Sequence, residues 1–264
     1  MSCRNWFAAG VVASSLFTVE SNAVVLLNID FENYTPGALN GQSGGTNGGA
    51  WTAPAPEKVA VSSPAIGTQA ASLSRDSGAN SYATIPLASP ELDTSSPSIY
   101  FSFDFYRAGD DDRGVVTLWN SNSGNNTGLG VSIENGASPL LYLITGGGYA
   151  SQVSSYAVEN SKWHRIEFEA NGATDQYDVY VQKEGVAGRL LIGDNIAWSA
   201  PNGVVNGFQY LAQGLLESDI VLDNLYLETG ASFPVNRPLE VPEPAAVSLL
   251  ALAAGVTLRR SRSR

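Results

Sequence analysis

From Ser98 to Arg107 the chain reads S-I-Y-F-S-F-D-F-Y-R. Ile99, Phe101, Phe103 and Phe105 alternate with Tyr100, Ser102, Asp104 and Tyr106. An extended backbone sends successive side chains to opposite faces, so the four large apolar groups share one face. A face that apolar needs a second layer against it, and a strand cannot supply one alone. This stretch therefore predicts a sheet packed on another sheet.

The rest of the body repeats the theme more weakly. Strands are expected at Lys58–Val61, Gln69–Ser74, Ser81–Leu87, Gly114–Asn120, Gly128–Glu134 and Leu140–Thr145. Others are expected at Trp163–Ala170, Tyr177–Lys183, Asn206–Ala212 and Asp219–Leu227. The segment Asn171-Gly172-Ala173-Thr174-Asp175 reads as a hairpin loop between two of them. Val24–Phe31 (VVLLNIDF) is nearly unbroken and apolar, which predicts a strand buried on both faces. Glu32–Trp51 is dense in Gly and Asn, which predicts a long irregular loop. No stretch longer than about ten residues ahead of the C-terminal tail shows helical periodicity. About a dozen short strands without intervening helices argue for an all-β antiparallel β-sandwich.

The two ends differ from this body. At the front, Arg4 precedes an apolar-leaning run from Trp6 to Val19. Ser21-Asn22-Ala23 then fits the small-x-small rule for signal-peptidase cleavage after Ala23. At the back, Pro242-Glu243-Pro244 is followed by Ala245–Leu258, 14 uncharged residues, and then by Arg259, Arg260, Arg262 and Arg264. As a helix that run reaches roughly 21 Å, short of the roughly 30 Å hydrocarbon core of a bilayer. The arginines would hold its end on the cytoplasmic side. The expected organisation is a signal peptide helix over 1–23, a sandwich over 24–232, a Pro-containing linker over 233–241, and a tail over 242–264.

This tail resembles the PEP-CTERM sorting signal of Gram-negative bacteria that make extracellular polysaccharide. The resemblance implies that Pro242, Glu243 and Pro244 form the recognition box. It also implies membrane retention by the tail until an exosortase cleaves near the box. The expected processing partners are signal peptidase and exosortase. The expected location is the inner membrane transiently, then the cell surface or the extracellular space.

Composition fits export. The only cysteine is Cys3, ahead of the apolar run of the leader, so no disulfide framework or cysteine metal site is available to the body. Between Val24 and Glu240 nine basic residues face 23 acidic ones, a net of −14. Bulk charge of that sign disfavours nucleic acid and anionic membrane surfaces.

Within the body, D-F-E-x-Y near the start, W-H-R-I-E-F-E followed by Y-D-V-Y-V, and D-N-L-Y-L near the end resemble the concanavalin A-like, laminin G-like jelly roll. The resemblance implies that the first and last strands are neighbours.

Glu167 and Glu169 are the sharpest chemical candidate. Two residues apart on a strand, they share a face at roughly 7 Å between Cα atoms. A retaining glycosidase needs two carboxyls about 5 to 5.5 Å apart. Trp163 and Arg165 fall on the same face and suit a sugar. Jelly-roll glucanases carry E-x-D-x-x-E, whereas here the middle position is Glu169 and the last is Gly172. The competing reading makes Glu167 and Glu169 solvent-facing residues behind a core of Ile166 and Phe168. His164, the single histidine, shares the Ile166 and Phe168 face and reads as structural. Asp110, Asp111 and Asp112 are a candidate Ca²⁺ loop, with a solvated acidic loop as the alternative. Asp30, Glu32 and Asp223 are a second candidate set for structural Ca²⁺, through adjacency of the first and last strands. Tyr100, Tyr106, Trp119, Tyr142, Tyr149 and Tyr180 are candidates to stack on sugar rings or, equally, to fill the core.

The sequence thus predicts an exported surface or matrix protein, a non-catalytic recognition or structural module with extracellular polysaccharide as candidate ligand. The alternative is a glycan-active hydrolase or lyase using the Glu167 and Glu169 carboxylates.

Overall fold

The computed structural model describes residues 23–239 except 47, 54–57, 62–64, 75–80, 88–91, 111–112, 121–124, 135, 137–138, 146–150, 199–203, 213–218, 231–232 and 234–238. The leader, the Pro-Glu-Pro box, the apolar run and both expected terminal helices lie outside the described residues, as do Asp111, Asp112 and Tyr149.

The described chain is all-β. Its strands are β1 (Val24–Ile29), β2 (Gly37–Ala38), β3 (Lys58–Val61), β4 (Gln69–Ser74), β5 (Ser81–Pro86) and β6 (Leu92–Asp93). Next come β7 (Ile99–Arg107), β8 (Gly114–Asn120), β9 (Asn125–Ile133), β10 (Leu140–Ile144), β11 (Ser151–Ala157) and β12 (Trp163–Asn171). The last are β13 (Gln176–Lys183), β14 (Leu190–Ala197), β15 (Val204–Val205), β16 (Gly207–Ala212) and β17 (Asp219–Thr229). A nine-stranded sheet runs β14-β13-β12-β7-β17-β4-β3-β2, with β1 also on β17. A six-stranded sheet runs β11-β10-β9-β8-β16-β5, and β6 and β15 form a small third pair. Every pairing is antiparallel.

The two large sheets close on one apolar core. Phe101, Phe103 and Phe105 of β7 point into it, joined by Ile166 and Phe168 of β12 and by Val116, Leu118, Phe208 and Tyr210 of the other sheet. Phe101 stacks on Phe168 with ring centroids 5.5 Å apart. Each such side chain contributes roughly 1.5–3 kcal/mol by leaving water, which gives the alternation in β7 its force. First and last strands are neighbours, with β1 antiparallel to β17.

One local expectation is corrected. Val24–Phe31 is not buried on both faces, because Val24, Asn28 and Asp30 are exposed. A bulge between Val25 and Leu27 turns the consecutive Leu26 and Leu27 both inward, so the apolar run satisfies one core and not two. The loop at 32–51 is irregular as expected, apart from β2, and it also feeds the core. Tyr34, Leu39 and Trp51 enter the core, and Trp51 meets Phe208 edge-on at 6.0 Å. Gly45 makes this route feasible. Its φ is +72°, and a Cβ there would lie 2.0 Å from the Asn28 carbonyl oxygen.

Candidate functional site

The face of the nine-stranded sheet turned away from the core carries most of the candidate residues. Register sets this. Arg165 pairs with Asp104, Glu167 with Ser102, and Glu169 with Tyr100 on one side of β12. On the other side Arg165 pairs with Gln182, Glu167 with Tyr180, and Glu169 with Asp178. Directly paired residues share a face, so a polar band runs across β17, β7, β12 and β13.

Glu167 and Glu169 are brought together as the period-two spacing requires, but neither is solvent-facing in the sense expected. Glu167 is fully buried. The Tyr100 hydroxyl donates to its Oε1 at 2.5 Å. Burial beside this carboxylate drives the Tyr100 phenol far above its ordinary range, so it stays a proton donor. Arg189, at the start of the β14 side of the hairpin, reaches both acids. Its Nη1 donates to Glu169 Oε1 at 2.6 Å and lies 3.7 Å from Glu167 Oε2. The same guanidinium lies over Tyr180, its Cζ 3.8 Å from the ring centroid. Burial works against the Arg189 charge, but the two glutamates outweigh it and hold the guanidinium protonated.

The glucanase-like third acid is sterically excluded. Gly172 donates its amide to the Ser96 carbonyl at 2.9 Å. A Cβ at position 172 would lie 1.8 Å from the Thr94 carbonyl oxygen. No side chain fits there without moving backbone, so the departure from E-x-D-x-x-E follows from the fold of this hairpin.

Arg165 does not project toward a ligand either. It forms a two-pronged pair with Asp104, Nε to Oδ1 at 2.6 Å and Nη2 to Oδ2 at 2.7 Å. Burial disfavours the guanidinium charge, and Asp104 more than compensates. Asp104 also accepts from Asn224 Nδ2 at 2.8 Å. Asn224 reaches it from a bulge in β17 between Asp223 and Tyr226, where it sits at φ +49°. Asp223 pairs with Asp104 across the strands. Burial is the main cause that pushes the Asp223 carboxyl up to about 9, and Asp104 and Glu32 add to it, against amide bonds from Ile66 and Asn224. Asp223 is therefore protonated at neutral pH. The sequence reading missed Arg189, Asp104 and Asn224. Asn-Leu after Asp223 was the available signal, since Asn tolerates left-handed backbone.

Of the two candidate Ca²⁺ sets, Asp110, Asp30, Glu32 and Asp223 lie among the described residues. Among the described residues no three or more acidic, His or Cys side chains gather closely enough to hold a metal. Glu32 spends its carboxylate on the Thr68 and Gln69 amides and the Thr68 hydroxyl. Asp223 accepts the Ile66 amide at 2.9 Å, and Asp30 accepts the Glu32 amide. Asp110 accepts from Asn160 Nδ2 at 2.5 Å, and its carbonyl accepts from the buried Arg107.

His164 is structural. It is fully buried on the core side and stacks on Phe105 with ring centroids 5.1 Å apart. Burial pushes its imidazole down to about 4, so it is neutral at pH 7. Of the candidate aromatics, Tyr100 is sealed, whereas Tyr106, Tyr142 and Tyr180 are half-buried. The Trp119 side chain lies outside the description. Tyr82 on β5, not singled out from sequence, is 44% exposed.

No family model and no curated protein matches this chain. Solved structures do. A GH131 beta-glucanase catalytic domain from Podospora anserina aligns with TM-score 0.54 at 14% identity, over 79% of this chain and 97% of that one. A protein of unknown function from Shewanella oneidensis MR-1 aligns with TM-score 0.54 at 11% identity, over 88% and 100%. The lectin UEA-II, solved with galactose, aligns with TM-score 0.50 at 12% identity, over 80% and 99%. At such identities the likeness is one of fold. The body is a lectin- and glycoside-hydrolase-like β-sandwich jelly roll.

Proposed function

We propose that this protein is an exported, non-catalytic carbohydrate-binding module, delivered by its leader and held briefly by the PEP-CTERM-like tail before an exosortase acts. The observation that carries the non-catalytic half is Arg189, which ties Glu169 at 2.6 Å and approaches Glu167 at 3.7 Å. A general acid must give up a proton and a nucleophile must approach an anomeric carbon. A fully buried carboxylate bonded to a tyrosine, beside one paired with an arginine, is poorly placed for either role. The same groups suit binding. The partly exposed Arg189 guanidinium over the Tyr180 ring, edged by the Glu169 carboxylate, offers directional hydrogen bonds to sugar hydroxyls beside an aromatic surface. The fold it shares with a galactose-bound lectin supports this reading.

The test is affinity electrophoresis in gels cast with a panel of neutral and acidic polysaccharides. Retardation by at least one polymer is expected, and Tyr180→Ala should weaken it several-fold. Retardation lost in Tyr82→Ala but kept in Tyr180→Ala would move the site to the six-stranded sheet. No retardation by any polymer would leave a structural role. The second reading, a glycan hydrolase, is favoured by the co-facial placement of Glu167 and Glu169 and by the fold shared with a GH131 beta-glucanase catalytic domain.

A further inference from the structure

The outer face of the nine-stranded sheet is not polar throughout. At the end where β12 begins, Trp163, Val221 and Ala70 form a small buried cluster of their own. Trp163 pairs with Tyr106 and Tyr106 with Val221, so three adjacent strands contribute to one spot. Half-buried Ala65, Ile66 and Tyr106 pack around it, and so does Leu239. The Leu239 amide donates to Gln182 Oε1 at 2.9 Å, on the strand beside Trp163. Leu239 stands three positions before Pro242 and six before Ala245.

An amide bonded to a buried side chain and a leucine packed on the Ala70, Trp163 and Val221 cluster make a docking point. β17 leaves the sheet at the opposite end. Thr229 pairs with Ile99, and the Gly230 amide donates to the Ser98 carbonyl at 3.1 Å. Tyr106 and Ile99 lie seven positions apart on β7, about 23 Å along a strand.

We propose that this patch is the seat for the segment that leads into the sorting tail. By it the body is held with the Trp163 end of its nine-stranded sheet nearest the bilayer while the tail is uncut. The orientation rests on the tail being a membrane segment, as proposed above; the docking does not. From Leu239 to Ala245 six residue steps reach at most about 20 Å. The Asn171 end of β12 lies roughly 26 Å further along the strand. The box is then presented to a membrane enzyme from a fixed side of the body and not on a free tether.

The test uses the exported chain, Val24–Arg264, which has no native thiol. Single cysteines replace Lys162, beside Trp163, or Thr174, exposed in the β12–β13 turn. Each carries a bimane label on vesicles of phosphatidylethanolamine and phosphatidylglycerol containing a headgroup-nitroxide lipid. Quenching at position 162 should exceed that at 174 at least two-fold, and Leu239→Asp should even them out. Equal quenching in the vesicle-bound parent would overturn the orientation. Failure to bind vesicles at all would overturn the tail reading and the orientation with it. Docking is read separately by hydrogen exchange. The Leu239 amide should exchange at least tenfold more slowly than in a free peptide, and Gln182→Ala should abolish the protection. Free-peptide exchange in the parent chain would overturn the docking.

Discussion

Removing Arg165 should be among the most damaging single changes outside the apolar core. In Arg165→Met the stem is replaced by a group of similar length, but both hydrogen bonds to Asp104 are lost. Asp104 is fully buried and Arg165 is 8% exposed, so solvent cannot stand in for the guanidinium. Asn224 still donates to the Asp104 carboxylate, and Asp223 faces it from the next strand. Stranding one member of a buried pair costs about 3–5 kcal/mol. For a body of this size that corresponds to a fall of about 6 to 20 °C in Tm. The assay is thermal unfolding by circular dichroism at pH 7. Asp104→Asn added to Arg165→Met should recover more than half of the loss, because the stranded charge is gone. A loss below about 1 kcal/mol, or a double variant no better than the single, would refute the view that this pair is a sealed electrostatic unit.

Opposing titrations should shape the pH profile. His164 is held down to about 4, so the stability it confers is present above its unfolded value near 6.5 and is lost as pH falls toward 4. Asp223 is held up at about 9, so its contribution is present below its unfolded value near 4 and is lost as pH rises toward 9. Between about pH 4 and 6.5 the two oppose one another. In His164→Phe, unfolding free energy should therefore fall steadily with rising pH across that window, and in Asp223→Asn it should rise by up to roughly 3 kcal/mol. Parallel urea titrations of parent and variants check this. Gly172→Ala should destabilise by at least about 2 kcal/mol in the same assay, because its Cβ would meet the Thr94 carbonyl at 1.8 Å. Arg189→Ala should weaken polysaccharide retention several-fold in affinity gels while changing Tm by only a few degrees, since the side chain is partly exposed.

What was legible in the sequence was what one strand shows by itself. The alternation at Ile99–Phe105 gave a face, a face required a second sheet, and the Asn171–Asp175 turn gave the β12–β13 pairing that the register confirms. What escaped were features that several strands make jointly. Glu167 reads as solvent-facing along β12 but is closed over by Tyr100 from one neighbour and Arg189 from the far side of the other. β14 went unread because Gly193, Asp194 and Asn195 break its alternation. Its pairing with β13 shifts register around them, and Asn195 lies at φ +51°. β11 went unread because Ser151–Ala157 is mostly small and polar. The bulges at Leu26 and Asn224 are single-residue insertions that period-two counting cannot register.

The proposed function requires the Glu167–Glu169 face to hold a glycan and not to cut it. Its most direct measurement is reducing-end release from each polysaccharide that retards the protein, with the parent and Glu169→Gln assayed side by side over many hours. The expected result is no release above buffer by either protein. Release by the parent that disappears in Glu169→Gln would contradict it.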